Sequence, residues 1–177
     1  MFRRVAAVLA IFGASCAPLT SAAATSQQLS APIVYGYPYA ARCPGAGIGD
    51  VVDRWGMYAC NCTSYVAWAL VANHQRTDWF IRGSMDAWNW PHVARLAGLT
   101  VDRAPTVGSV AVWPEIAQPF GHVAYVTAVR PGHTIDVSEY NFPGPHGSET
   151  FGFETRSFVR LGGAVFIHVP RRAISQE

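Results

Sequence analysis

The 177-residue chain sets thirteen cationic side chains, all arginine, against eleven carboxylates. That near-balance excludes a general nucleic-acid binder, which needs a basic face. Half of the residues are apolar, enough for one core, and the length leaves little room for a separate binding module beside a catalytic domain.

The chain opens on MFRRVAAVLAIFGAS, where Arg3 and Arg4 precede an apolar run from Val5 to Ala14 that is too short to span a bilayer. Ala22 and Ala24 in SAAATSQQ offer the small residues a signal peptidase accepts, so residues 1–24 read as a secretory signal. A competing lipoprotein signal ends at Cys16 in GASC, but Gly13 stands where a branched apolar residue is expected. Losing Arg3 and Arg4 brings cations and carboxylates level. No later segment has the unbroken apolar length of a membrane span, and the expectation is a secreted or extracytoplasmic product, in the periplasm or the cell wall.

Residues 25–49 are loop-like, rich in Pro, Gly and Tyr, and are expected to wrap the surface and help shape a cleft. The glycines of GAGIG have neither the spacing nor the flanking strand and helix of a nucleotide-binding loop; they are turn residues. Residues 50–170 carry the main domain, and 171–177 form a C-terminal tail. From 62 to about 74 a helical period sets Val66, Ala67, Leu70 and Val71 on one apolar side, with Asn61 as N-cap and Cys62 in the first turn. A second helix falls within SMDAWNWPHVARLAG, restarted at Pro91 and stopped by Gly98. Beyond LTVDRAPTVG the period changes to two, predicting strands at 108–113, 122–129, 133–140, about 150–156, and 163–169. Helices followed by strands indicate an α+β fold, N-terminal helices packed on a roughly five- to six-stranded antiparallel sheet.

Without Cys16 three cysteines remain, Cys43, Cys60 and Cys62. An odd number in an oxidising compartment implies an intermolecular bond or one thiol kept free. Cys60 and Cys62 are too close in sequence to bridge without distorting the backbone. A Cys43–Cys60 bond closes a longer loop, adds about 3 kcal/mol in the loop-entropy picture, and leaves Cys62 free. The alternative is that all three are small buried apolar residues.

RPGH joins the second and third predicted strands. With Pro131 and Gly132 as the two turn residues, Arg130 opposes His133, Ala124 opposes Glu139 and His122 opposes Asn141. His122, Glu139 and Asn141 then share one face, which a bulge would disturb. A thiolate is favoured at a helix N-terminus or beside a cation. If the first turn of the Cys62 helix meets that sheet edge, His122 can take the thiol proton and return it to a leaving amine, with Glu139 or Asn141 orienting the ring.

The segments NCTSYVAW, PTVGSVAVW, GHVAYVTAV and VSEYN, in this order and spacing, resemble the CHAP domain, the cysteine, histidine-dependent amidohydrolase/peptidase family of papain-like fold. The resemblance runs from about Tyr35 to Val169. It implies Cys62 as nucleophile, His122 as general base, and Glu139 and Asn141 as the residues that orient or polarise it. It also implies a peptidoglycan substrate, cut between muramic acid and L-alanine or within the stem peptide or cross-bridge. Where the family often has glutamine before the nucleophile this chain has Asn61, so the Cys62 backbone N–H becomes the surer oxyanion donor and Asn61 a second. Trp55 and Tyr58 are the best candidates for stacking on substrate, and His146 for lining the cleft. Asp50 and Asp53 are too few oxygens for a calcium site and are more simply expected to face solvent or to pair with Arg42 or Arg54. No metal and no cofactor is expected, nor a stable membrane contact after signal cleavage, and the chain is expected to be monomeric. Asn61-Cys62-Thr63 also matches a glycosylation acceptor, which an active-site location would preclude. Two other functions stand beside this one: a silent wall-binding module, against which the paired nucleophile and base argue, and a secreted peptidase or toxin acting on protein, which the fold permits equally well.

Overall fold

The computed structural model describes residues 31–43, 51–81, 86–142 and 152–172. The expected signal, the GAGIG turn, Asp50 and His146 lie outside these residues.

Helix α1 (Cys62–Ala72) starts directly after Asn61. Nearly its whole circumference is buried, Cys62 through Ala67 together with Ala69 and Leu70. The expected amphipathic stripe included Val71, which is instead 36% exposed. The reason is that α1 is covered on two sides, by the sheet and by the N-terminal segment. The Tyr37 ring meets Tyr65 and Trp68 edge-on, Tyr65 Oη donates to Val34 O at 2.9 Å, and Asn73 exchanges two hydrogen bonds of 2.8 Å with the Ile33 backbone. Residues 31–43 therefore strap α1, and none of them lines the cleft that the segment was expected to shape. Full burial of Tyr65, Val66 and Leu70 is worth about 1.5–3 kcal/mol each.

A 3-10 turn (Ala87–Asn89) leads into α2 (Trp90–Leu96), which has Pro91 in its first turn, where a missing N–H costs nothing. Six antiparallel strands follow: β1 (Thr100–Asp102), β2 (Val110–Trp113), β3 (His122–Arg130), β4 (Thr134–Tyr140), β5 (Phe153–Arg160) and β6 (Val165–His168), in the order β1-β6-β2-β3-β4-β5. The fold is α+β, as the sequence predicts. β1 carries no period-two signal because Val101 is its one apolar residue. Alternation divides the core in two. Val110, Val112, Val123, Tyr125 and Ile167 join the cluster that includes α1, whereas Ala111, Trp113, Ala124, Val126, Val137 and Phe166 form a second cluster.

The β3–β4 hairpin departs from the sequence reading twice. Arg130 pairs with Thr134 rather than His133, so the turn is one residue longer and His133 adopts a left-handed φ of 55°. A bulge between Val126 and Ala128 then absorbs the extra residue, after which Val126 pairs with Val137 and Tyr125 with Ser138. The two departures cancel. Continued to the strand ends, this register sets Ala124 against Glu139 and His122 against Asn141. Among the described residues no helix is long and apolar enough to cross a membrane.

Candidate active site

Cys62 is aimed by the turn before α1. Cys43 and Cys60 are joined by a disulfide with Cα atoms 5.4 Å apart, and Cys62 is free and buried. Cys60 sits at φ 64°, a left-handed conformation that costs a non-glycine residue on the order of 1–2 kcal/mol. It is held by the disulfide and by the Tyr37 hydroxyl, which accepts the Cys60 N–H at 3.0 Å and lies 2.7 Å from Ser64 Oγ. Burial outweighs those hydrogen bonds and pushes the Tyr37 phenol up to about 12, so the anchor is neutral. Asn61 is extended and Cys62 opens the helix, where first-turn N–H groups have no intrahelical acceptor. Asn61 occupies the N-cap position, yet its side chain makes no capping bond: Asn61 Oδ1 accepts from Asn141 Nδ2 at 2.7 Å.

His122 is the first residue of β3, entered through Gly121 at φ 75°. A Cβ on Gly121 would come within 2.5 Å of the Trp88 backbone nitrogen, so glycine is needed for the strand entry to press against the Ala87–Asn89 turn. The His122 ring stacks on Trp113, centroids 6.3 Å apart, and meets Phe142 edge-on at 5.2 Å. Its Nε2 is 2.7 Å from Glu139 Oε2. The Cys62 sulfur acts electrostatically on the same ring, whose Nδ1 is the nitrogen that Glu139 leaves open.

Glu139 is fully buried and shared between two partners. Arg156 of β5 donates from Nε to Oε1 and from Nη2 to Oε2, the latter at 3.0 Å. Its guanidinium also lies over the Phe142 ring, 3.6 Å from the centroid. Burial, the largest single influence on each acid–base group, opposes charge on both. For His122 it is outweighed by the Cys62 sulfur and then by Glu139, and the imidazole is pushed up to about 9. For Glu139 it is outweighed by hydrogen bonds from His122 and Arg156, which hold the carboxyl below its ordinary range.

Cys62, His122, Asn61 and Asn141 face a common cleft of about 490 Å³ with Tyr58 and Phe120 on its walls. The aromatic walls are half-exposed. Trp55 does not reach it: Nε1 donates to Thr77 Oγ1 at 3.1 Å and the ring is covered by the Arg54 guanidinium at 4.3 Å. The ring is thus held on one face by Arg54 and packs, partly buried, against the core. Asp53 is turned inward, its Oδ1 accepting the Trp55 and Met57 N–H groups at 2.8 and 3.0 Å, and among the described residues no cluster of three or more potential metal ligands occurs. Arg156 was not among the expected site residues. It ends the strand predicted at about 150–156, but no turn signature fixes the pairing of that strand.

The family description "CHAP domain" matches residues 52–141. The chain is 37% identical over 95 residues to the Staphylococcus aureus protein "Probable autolysin LDP", covering 54% of this chain and 33% of that protein. It is 36% identical over 83 residues to the "Staphylococcal secretory antigen SsaA" of the same species, covering 47% and 31%. It thus spans about a third of the length of these relatives. A crystal structure of N-acetylmuramoyl-L-alanine amidase from Staphylococcus aureus shares the fold at a TM-score of 0.51 and 23% identity, over 64% of this chain and 31% of that one. With half of its length matched by the family description, the chain belongs to the CHAP domain family.

Proposed function

We propose that the protein is an extracytoplasmic peptidoglycan amidohydrolase using Cys62 as nucleophile and His122 as acid–base group. The observation that carries this reading is that Cys62 and His122 line one cleft while the buried Glu139 holds the His122 ring by Nε2. Family membership and the autolysin and secretory-antigen relatives support the substrate class and the location.

In this mechanism the Cys62 thiolate attacks an amide carbonyl carbon. The C–S bond forms as the carbonyl π pair moves onto oxygen, which the Cys62 backbone N–H stabilises. With its carbonyl oxygen engaged by Asn141, Asn61 presents its NH₂ end as the second donor. Asn141 therefore acts by orienting Asn61, and Glu139 by orienting His122. Collapse breaks the C–N bond while Nδ1–H of His122 protonates the departing amine, leaving a thioester. His122 then removes a proton from water, the hydroxide adds to the thioester, and the C–S bond breaks to regenerate the thiolate. The substrate chain rests against Tyr58 and Phe120, and the enzyme works as a monomer.

Purified sacculi digested with wild type and Cys62→Ala, followed by mass spectrometry of new amino termini and sugar ends, test this reading. New L-alanine termini with free muramic acid identify an amidase, and new termini within the stem or cross-bridge an endopeptidase. Equal release by wild type and Cys62→Ala would refute the assignment.

A further inference from the structure

We propose that Arg156 is a positioning residue of this site: by gripping both oxygens of Glu139 it fixes which oxygen faces His122 and keeps that carboxylate ionised inside the protein. The inference rests on the Cys62–His122 reading and extends it to a further group, on β5, that the motif of cysteine, histidine, glutamate and asparagine does not contain.

Three observations converge. Glu139 has no exposure to solvent, and a buried carboxylate stays charged only with a partner. Arg156 supplies a two-pronged one, Nε to Oε1 and Nη2 to Oε2, a fork that lysine cannot reproduce. The guanidinium is itself fixed by the Phe142 ring, which in turn touches the edge of His122. Arg156, Phe142, His122 and Glu139 thus close a ring of contacts in which turning one group displaces the next. The Cys43–Cys60 bond and Asn61 arrange the nucleophile; Arg156 arranges the base.

The charged and titratable groups around Glu139 are His122 from β3, Cys62 from α1 beyond it, and Arg156 and Glu154 from β5. Glu154 pairs with Glu139 across the strands, and its carboxylate lies 3.9 Å from Arg156 Nε, beyond hydrogen-bond reach. Removing the cation at 156 leaves Glu139 buried beside a second carboxylate. Its proton affinity must rise, so the acid limb of the pH–rate profile moves to higher pH. While still ionised, Glu139 is no longer neutralised by arginine and holds the imidazolium proton more tightly, so the alkaline limb moves up as well. A side chain that only supports the fold would change the rate or the melting temperature and leave both limbs in place.

The test compares wild type, Arg156→Met, Arg156→Lys and Arg156→Met in a Glu139→Gln background. It measures kcat/KM on sacculi against pH, and the His122 ring titration by NMR without substrate. Arg156→Met should move both limbs up by about one pH unit, the size of a nearby opposite charge. Arg156→Lys keeps the charge, so its limbs should stay near those of wild type while kcat falls from loss of the fork. With Glu139→Gln the Met substitution should move nothing. Limbs unmoved in Arg156→Met, or moved equally with and without Glu139, would overturn the proposal. If Arg156→Met does not fold, Arg156→Lys decides: kcat and both limbs equal to wild type would overturn it. The NMR titration separates the two readings, because it reports on Arg156 even if Cys62→Ala proves as active as wild type.

Discussion

The β3–β4 hairpin carries an arginine-bound carboxylate near each of its ends, Asp136 held by Arg130 of the hairpin and Glu139 held by Arg156 of β5, and the two differ in consequence. Near the turn, Arg130 donates from Nε and Nη2 to Asp136 Oδ2 at 2.9 and 2.6 Å, with the arginine side chain 46% exposed. Near the open end, Arg156 grips Glu139, whose side chain is 0% exposed. Both carboxyls are held below their ordinary range. At the turn Asp136 is also largely buried, its side chain 12% exposed, but the open Arg130 guanidinium lets solvent screen the pair. At the site, water cannot substitute for a lost partner, so the pair governs the charge of the histidine behind it. The contact of Glu139 with His122, together with its complete burial, separates the two pairs.

The comparison can be broken most severely at the nucleophile. Cys62→Ser should lower turnover on sacculi by several orders of magnitude, since a serine hydroxyl ionises far less readily than a thiol. Unchanged turnover would remove Cys62 from the mechanism. Glu139→Gln should cost about a hundredfold in kcat, and Glu139→Ala, which strands Arg156 and His122, should destabilise the fold by about 3–5 kcal/mol in urea titrations. At the opposite end Asp136→Asn should leave kcat/KM at the wild-type value; an effect as large as that of Glu139→Gln would mean that burial and the His122 contact do not separate the two pairs.

The disulfide should have an intermediate effect on stability. Cys43→Ala with Cys60→Ala removes a cross-link worth about 3 kcal/mol and releases the left-handed turn before Asn61, so the melting temperature and kcat should fall together. A variant with wild-type kcat would show that the turn is held by Tyr37 alone.

Stability against pH sharpens the account. His122, raised to about 9, contributes stability that is complete below its ordinary value of 6.5 and lost as pH climbs through about 9. Glu139, lowered, contributes stability present above its ordinary value of 4.5 and lost as pH falls below that range. The melting temperature should therefore be highest between these edges, and the alkaline edge should weaken in Cys62→Ala.

Cys62, His122 and Glu139 were legible in the sequence because each is fixed by a short-range signal: a helix start, a strand start, and period-two alternation across a tight turn. The hairpin register survived only because an added turn residue and the bulge beyond Val126 offset one another, which no sequence pattern announces. Arg156 was not legible. The connection from Asn141 to Phe153 carries Pro and Gly turn residues but is too long to fix a register, and a register shift of β5 against Ile135–Val137, with Phe158 at φ 57°, breaks simple alternation there. Trp55 is near Cys62 in sequence, yet it does not line the cleft and the Arg54 guanidinium lies over its ring, which sequence nearness does not announce.

In the proposed mechanism Cys62 and His122 form one electrostatic unit, and an NMR titration of the His122 ring in wild type and Cys62→Ala reads that coupling. The account predicts titration near pH 9 in wild type and a clear fall in Cys62→Ala, where burial is opposed by Glu139 alone. Identical titration in the two proteins would contradict it.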